Sequence, residues 1–131
     1  MNDEEMRRAL AQSPVLADLD PNALQFLTRF GTIRQFAAGD ALMRQGEPSV
    51  SIHFVLSGGV EVERQRRSDE RPVKLAVFGV GEIVGEMGVL VNSPRSATVA
   101  ATAPTETLEL DAPSFERVAK AFPMLHRVLA T

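Results

Sequence analysis

The sequence predicts a mainly β protein with flanking α helices, on three observations. Between about residues 32 and 110, short apolar segments alternate with turn signals at regular spacing. Those turns are rich in glycine, whereas helical patterns occur only near the two ends of the chain. Such spacing is typical of a sandwich, a jelly roll or a small barrel. The turns are Ala38-Gly39-Asp40, Gly46-Glu47-Pro48, Ser57-Gly58-Gly59 and Gly79-Val80-Gly81.

Two helices are expected at the N-terminus, over about residues 3–31. The charged segment Asp3–Gln12 forms the first. In the second, Asp20 is the expected N-cap, Pro21 takes the first helical position and Gly31 ends the helix. Leu19 can pack against Leu24 across the cap. The expected buried face consists of Leu24, Phe26, Leu27 and Phe30.

The β region ends in predicted strands at Ala97–Ala101 and Thr107–Leu110, and helices follow over about residues 112–130. Asp111 is the expected cap of the first, and Pro123 separates it from a last helix, Met124–Leu129. The length of 131 residues fits one domain over residues 1–131. The apolar stripe of the first C-terminal helix is Phe115, Val118, Ala119 and Phe122.

Composition excludes several classes of protein. A net charge of -3 argues against general binding to nucleic acid or to anionic membranes. The absence of cysteine excludes a disulfide framework, a thiolate zinc site and a cysteine nucleophile. No apolar signal core or membrane-length apolar run occurs, so a cytoplasmic location is expected.

A charged stretch lies between Glu63 and Pro72, with arginines clustered at Arg64, Arg66 and Arg67. Such a cluster can form an anion site, but it is also typical of a solvated hairpin tip, which is the favoured interpretation.

The segment Ala76–Ala101 carries the residues that suggest chemistry. Its only charged side chains are Glu82, Glu86 and Arg95. An arginine in an apolar β context needs an anionic partner, and its planar fork suits a carboxylate or a phosphate. One alternative is therefore an ion pair between Glu86 and Arg95 across a turn.

The other alternative is a bound nucleotide. Gly85–Leu90 reads as a single helical turn whose free amides, left open by Gly88, face an anion. Arg95 and the hydroxyl of Ser96 would complete a phosphate site, and Glu86 would then face hydroxyl groups.

The stretch Gly85-Glu86-Met87-Gly88-Val89-Leu90-Val91-Asn92-Ser93-Pro94-Arg95-Ser96-Ala97-Thr98-Val99 closely resembles the phosphate-binding cassette of the cyclic nucleotide-binding domain family. That family includes the bacterial catabolite activator, kinase regulatory subunits and cyclic-nucleotide-gated channels. The resemblance extends over about Leu16–Leu129. It implies an eight-stranded β jelly roll (a double-stranded β-helix) with N- and C-terminal helices.

The resemblance also implies a binding site for cAMP or cGMP as ligand, with no cofactor, no metal and no catalytic residue. Arg95 would bind the cyclic phosphate and Glu86 would accept from the ribose 2′-hydroxyl. Val62 and Leu75 match strand positions that face the base. Ser96 stands where the catabolite activator also has serine, which favours cAMP. The implied ligand contacts are Gly85, Glu86, Met87, Gly88, Val89, Arg95, Ser96, Ala97, Val62 and Leu75.

The expected function is therefore a regulatory sensor and not an enzyme. Binding would repack Met87 and Leu90 against the C-terminal helices, where Leu125, Val128 and Leu129 form either a lid or plain packing. No helix-turn-helix follows the roll, so direct DNA binding is not expected. A larger parent protein or a homodimer is a possible assembly.

Two rival classes stay open. A metal-dependent jelly-roll enzyme would need clustered ligands, but His53 and His126 lie far apart in sequence. The second rival is the same fold without nucleotide binding, acting as a protein-interaction module.

Overall fold

The chain forms a two-sheet β roll with helices on one side, as the sequence predicts. The computed structural model describes residues 3–12 and 21–122. Within them, eight strands form two four-stranded antiparallel sheets. The helix-side sheet has the order β1 (Thr32–Phe36), β8 (Thr105–Asp111), β3 (Ser51–Ser57), β6 (Ile83–Val84). The cavity-side sheet has the order β2 (Ala41–Met43), β7 (Thr98–Ala101), β4 (Val60–Arg64), β5 (Val73–Phe78).

Four helices lie within the same described residues, and three of them cover the helix-side sheet. They are α1 (Asp3–Ala11), α2 (Pro21–Phe30), α3 (Glu86–Leu90) and α4 (Ala112–Ala121). None of these helices is long and apolar enough to cross a membrane. The apolar faces of α1, α2 and α4 pack on β3 and β8 in one core. Its fully buried members include Leu10, Leu27, Ile52, Phe54, Leu108, Leu110 and Val118.

Strand β3 is buried on both faces, which is unusual for an antiparallel strand and explains its apolar run. Ile52, Phe54 and Leu56 face the helices, as their alternation predicts. Val55 belongs instead to a second cluster between the two sheets. The other face of β3 therefore looks into the interior of the roll, where the polar side chains discussed below lie.

The helix boundaries predicted from capping signals are close to those observed. The amide of Gly31 donates to the Leu27 carbonyl at 2.9 Å where α2 ends. Leu27 is buried, and the other members of the predicted α2 face pack against the core from half-buried positions. The N-cap Asp20, its neighbour Leu19 and the last helix from Met124 fall outside the described residues.

The arginines of the β4–β5 hairpin are exposed, as the solvated-tip interpretation requires. The hairpin is tied to the turn after β2 by two hydrogen bonds. Gln65 N donates to Gln45 Oε1 at 2.8 Å, and Gln45 Nε2 donates to the Gln65 carbonyl at 2.7 Å.

Asp111 caps α4, as predicted: its Oδ1 accepts from the Ser114 amide at 2.7 Å. Asp111→Ala should lower the free energy of unfolding by about 1 kcal/mol, the usual value of such a cap. The Ser114 hydrogen bonds also hold the pKa of Asp111 below its usual range. A depressed pKa means that the stabilisation is present above pH of about 4 and is lost as the pH falls through the folded-state pKa.

Urea unfolding of the wild type and the variant from pH 7 to pH 2 measures this effect. The two curves should converge at the acid end. The control is Asp69→Ala, at an exposed hairpin position, for which a change within about 0.5 kcal/mol is expected. A constant difference between wild type and Asp111→Ala at all pH values would contradict the capping role.

Candidate functional site

A partly open cavity of about 210 Å³ lies between α3, the loop after it and the cavity-side sheet. The predicted helical turn is α3, so the cassette segment has the local structure expected of it. One wall is apolar and comes from β2, β4, β5 and β7, and the rest of the lining, from β6, α3 and the loop after it, mixes apolar and polar residues. The lining residues are Met43, Val62, Phe78, Ile83, Val84, Gly85, Glu86, Gly88, Val91, Ser93, Pro94, Arg95, Ser96, Ala97 and Val99.

Arg95 lies on the floor of this cavity, with only 6% of its surface exposed. Its Nη1 donates to the Gly85 carbonyl at 2.7 Å, and its Nη2 donates to the Ser51 carbonyl. Burial lowers the pKa of Arg95, and the nearby carboxylates of Glu47, Glu86 and Glu109 partly offset that effect. A guanidinium has five N–H donors, so carbonyl partners leave donors for an anion.

Glu86 opens α3 and is half-buried at the rim of the cavity. Burial raises the pKa of its carboxyl group, while its own backbone amide and the charge of Arg95 act in the opposite direction. Within the described residues, Glu86 and Arg95 form no ion pair, although their charges interact. The structure therefore does not support the alternative in which Glu86 and Arg95 pair with each other. A desolvated carboxylate in this position can accept hydrogen bonds from a ligand.

Two cassette glycines are required by close contacts. Gly85 has a φ of +87°, and a Cβ there would lie 2.7 Å from Arg95 Nη1. A Cβ at Gly88 would collide with Ser49 Oγ. Gly88 therefore has a packing role against Ser49, besides the open approach that the sequence suggests.

The structure brings most of the predicted contact residues to one cavity. Those that line it are Val62, Gly85, Glu86, Gly88, Arg95, Ser96 and Ala97. Met87 belongs to α3, but the description does not extend to its side chain. Val89 packs against the helix-side core and does not line the cavity.

Leu75 does not line the cavity, contrary to its expected place beside the base. Strand β5 pairs Ala76 with Val62 and Lys74 with Glu63, so a register shift leaves Leu75 without a partner. Leu75 is 56% exposed, because it lies on the outer face of β5, which also carries the exposed Val77. The inward positions of β5 near the cavity are instead those that pair with Val60 and Val62.

Phe78 is the lining residue that sequence reasoning missed and that matters most. It pairs with Val60 at the end of β5 and contributes the one aromatic ring in the cavity wall. Its position just before the Gly79 turn, in phase with Val60 and Val62, is a signal that could have found it. Met43 and Val99 extend the same apolar wall from β2 and β7.

His53 is buried in the roll and belongs to a hydrogen-bonded cluster. Its Nδ1 lies 2.9 Å from Thr107 Oγ1, and its Nε2 lies 3.3 Å from Glu109 Oε2. Burial lowers the pKa of His53 to about 4. Over residues 3–12 and 21–122, no three His, Cys, Asp or Glu side chains form a group that could hold a metal ion. His126 lies outside that part of the chain.

Comparison with known proteins assigns the family. The sequence pattern of the family described as "Cyclic nucleotide-binding domain" matches residues 33–122. A protein of Rhodopseudomonas palustris named as a potassium channel is 30% identical over 118 residues, which is 90% of this chain. The chain spans only 28% of that relative's length.

Solved structures agree with this assignment. The catabolite activator protein of Thermus thermophilus is 28% identical with a TM-score of 0.83, over 90% of this chain and 55% of that one. The regulatory subunit of a cAMP-independent protein kinase A from Trypanosoma brucei is also 28% identical, with a TM-score of 0.83, over 98% of this chain and 47% of that one. A triple variant of that subunit is bound to cAMP. The chain therefore belongs to the cyclic nucleotide-binding domain family, whose fold it has.

Proposed function

We propose that the chain is a sensor domain that binds a cyclic nucleotide, cAMP in preference to cGMP, in the cavity beside α3. The observation that carries this proposal is the buried guanidinium of Arg95, which is held by two backbone carbonyls and, among residues 3–12 and 21–122, has no carboxylate within ion-pair distance. A buried charge is costly unless it is paired. A singly charged cyclic phosphate would supply the missing anion.

The rest of the cavity fits the other parts of such a ligand. Glu86 would accept a hydrogen bond from the ribose 2′-hydroxyl, which would offset its desolvation. The base would lie against the apolar wall that contains Val62 and Phe78. Ser96, which is exposed at the cavity edge, would contact the phosphate or the base.

Binding would act by a population shift and not by chemistry. The cassette helix α3 contacts β3, and α4 packs on the same strand and on β8. A movement of α3 that includes Met87 and Leu90 would thus reach α4 through β3. NMR shifts of α4 that do not respond to a saturating nucleotide would exclude the relay.

We also propose that residues 1–131 form one domain. It would belong to a larger parent protein or to a homodimer, in the cytoplasm.

The alternative function is an interaction module that has the fold but does not bind a nucleotide. The relative from Trypanosoma brucei, whose name states cAMP independence, shows that the fold alone does not decide the ligand. The retained Arg95 and Glu86 favour binding in this chain, because losing either would remove a charge that the ligand needs.

Thermal unfolding with cAMP, cGMP and ATP, followed by circular dichroism, tests the proposal. A ligand present at 100 times its Kd adds about 2.7 kcal/mol of stability, which raises the midpoint by several degrees. We expect the largest shift with cAMP, a smaller one with cGMP and none with ATP. No shift at millimolar concentrations of either cyclic nucleotide would favour the interaction module.

A further inference from the structure

A polar cluster, buried except for Arg34 and part of Glu109, lies next to Arg95 on strands that do not carry the cassette. We call it the support cluster, and its members are Arg34, Ser51, His53, Thr107 and Glu109. Ser51, His53 and Thr107 are buried, and Glu109 has a side-chain exposure of 24%. These side chains lie outside the cavity lining, so they do not touch a ligand there.

A continuous chain of hydrogen bonds connects Arg95 to this cluster. Arg95 Nη2 donates to the Ser51 carbonyl, and the Ser51 hydroxyl donates to Glu109 Oε2 at 3.0 Å. Arg34 Nη1 donates to Glu109 Oε1 at 2.9 Å. Glu109 lies on β8, and its two carboxylate oxygens accept from different neighbouring strands. One oxygen bonds a residue of β3 and the other bonds a residue of β1.

Glu109 is ion-paired with Arg34 and also acts on Arg95 through its charge, without pairing with it. His53 is neutral near pH 7, because burial lowers its pKa to about 4 and the charges of Arg95 and Arg34 lower it as well, while Glu109 raises it. The carboxylate of Glu109 raises the pKa of Arg95, together with those of Glu47 and Glu86. The groups that face His53 are thus two cations and one anion.

We propose that Glu109 is a positioning residue for nucleotide binding. By holding Ser51, it fixes the carbonyl that directs the Arg95 guanidinium toward the cavity. A long arginine side chain loses rotamer entropy when it is ordered. A support that orders it before the ligand arrives removes that cost from binding. This proposal rests on the proposed function.

If Glu109 acts through its charge, Glu109→Gln should change nucleotide affinity in the opposite direction from the one expected if Glu109 positions Arg95. Removing a negative charge behind the cavity would strengthen the binding of an anion if Glu109 acted only through its field. In the amide, an NH2 group replaces one of the two carboxylate oxygens, so either Arg34 or Ser51 faces a donor where it now has an acceptor. If Glu109 acts by position, the variant should bind cAMP roughly five- to tenfold more weakly, about the worth of one hydrogen bond.

The test compares Glu109→Gln with Glu106→Gln, which makes the same charge change on the same strand but has no bond to Ser51 or Arg34. Isothermal titration of the full chain with cAMP gives the affinities. The Nε–Hε signal of Arg95 and the rotation rate about its Cζ–Nη bonds, measured by NMR without ligand, report its order directly. Glu109→Gln should weaken binding and speed the rotation, and Glu106→Gln should change neither.

Ser51→Ala is the second variant, because it removes the hydroxyl but keeps the carbonyl that Arg95 contacts. It should reproduce the loss, and the double variant should add little, since both changes break the same bond. Equal or tighter binding in Glu109→Gln, or unchanged Arg95 rotation, would overturn the proposal. If the wild type bound no cyclic nucleotide, the proposed function would fail, whereas the rotation rates would still decide whether Glu109 orders Arg95.

Discussion

Arg95→Ala should weaken binding of the preferred cyclic nucleotide by about 3 kcal/mol or more, which is roughly a hundredfold or greater. The expected size follows from the number and kind of bonds lost. Each hydrogen bond between a charged donor and an anion contributes about 1.5–3 kcal/mol, and a guanidinium can make two such bonds to one phosphate. Because Arg95 is only 6% exposed, water cannot take over its role easily.

Two further variants separate geometry from charge. Arg95→Lys keeps the charge but loses the planar fork, so an intermediate loss of affinity is expected. Arg66→Ala removes the same charge from the exposed hairpin tip and should leave affinity nearly unchanged. Isothermal titration gives these affinities.

Unfolding without ligand must be measured in parallel. Arg95→Ala leaves the carbonyls of Gly85 and Ser51 without their side-chain partner, so some loss of stability is expected. An affinity unchanged in folded Arg95→Ala would mean that the ligand binds elsewhere.

The cassette could be predicted from the sequence because its parts are contiguous. Glu86 and Arg95 lie within one short segment, so their proximity needs no knowledge of strand pairing. The end of α2 at Gly31 and the cap of α4 are local signals for the same reason: the Asp111 side chain meets an amide three residues away. Such features depend on the backbone near them and not on the rest of the fold.

Features that depend on register could not be predicted. The resemblance placed Leu75 beside the base with Val62, but Leu75 lies on the outer face of β5 together with Val77. Which face of β5 turns inward depends on its pairing with β4, and a shift of one residue exchanges the two faces. Phe78 was overlooked, although its phase with Val60 and Val62 marks it as an inward position.

The support cluster is the part of the structure that is hardest to predict from the sequence, because its residues are far apart along the chain. Glu109 bonds Arg34, which is 75 residues away in the sequence, and Ser51, which is 58 residues away. From the sequence, His53 could be weighed only as a metal ligand or a packed residue, and the burial that keeps it neutral depends on both sheets. Pairing of β8 with β1 and β3, which are distant in sequence, creates this cluster. Residues outside the cassette motif therefore surround Arg95 as well.

Gly85→Ala is expected to have the second large effect, because it combines backbone strain with a clash against Arg95. Its φ of +87° lies in a region that costs a residue with a Cβ about 1–3 kcal/mol. The added Cβ would lie 2.7 Å from Arg95 Nη1 and 2.9 Å from Met43 Cε. Both atoms end flexible side chains, so the guanidinium and the thioether should move while the backbone stays.

Gly39→Ala is the matched control for this variant. Gly39 has a φ of +91°, and a Cβ there meets nothing within 4 Å. Both variants should therefore lose a similar amount of stability from strain, in the range of about 1–3 kcal/mol by urea unfolding. Only Gly85→Ala should also lose affinity for the nucleotide, by about tenfold or more, since a small misplacement of a binding group is costly.

The two measurements together separate strain from positioning. If both variants lost stability and neither lost affinity, Arg95 would tolerate displacement, and its hydrogen bond to the Gly85 carbonyl would be incidental to binding. If only Gly85→Ala lost affinity, the glycine would be required because its missing side chain leaves room for the guanidinium. In that case the cassette would need glycine at position 85 for two independent reasons, its backbone conformation and the place it leaves for Arg95.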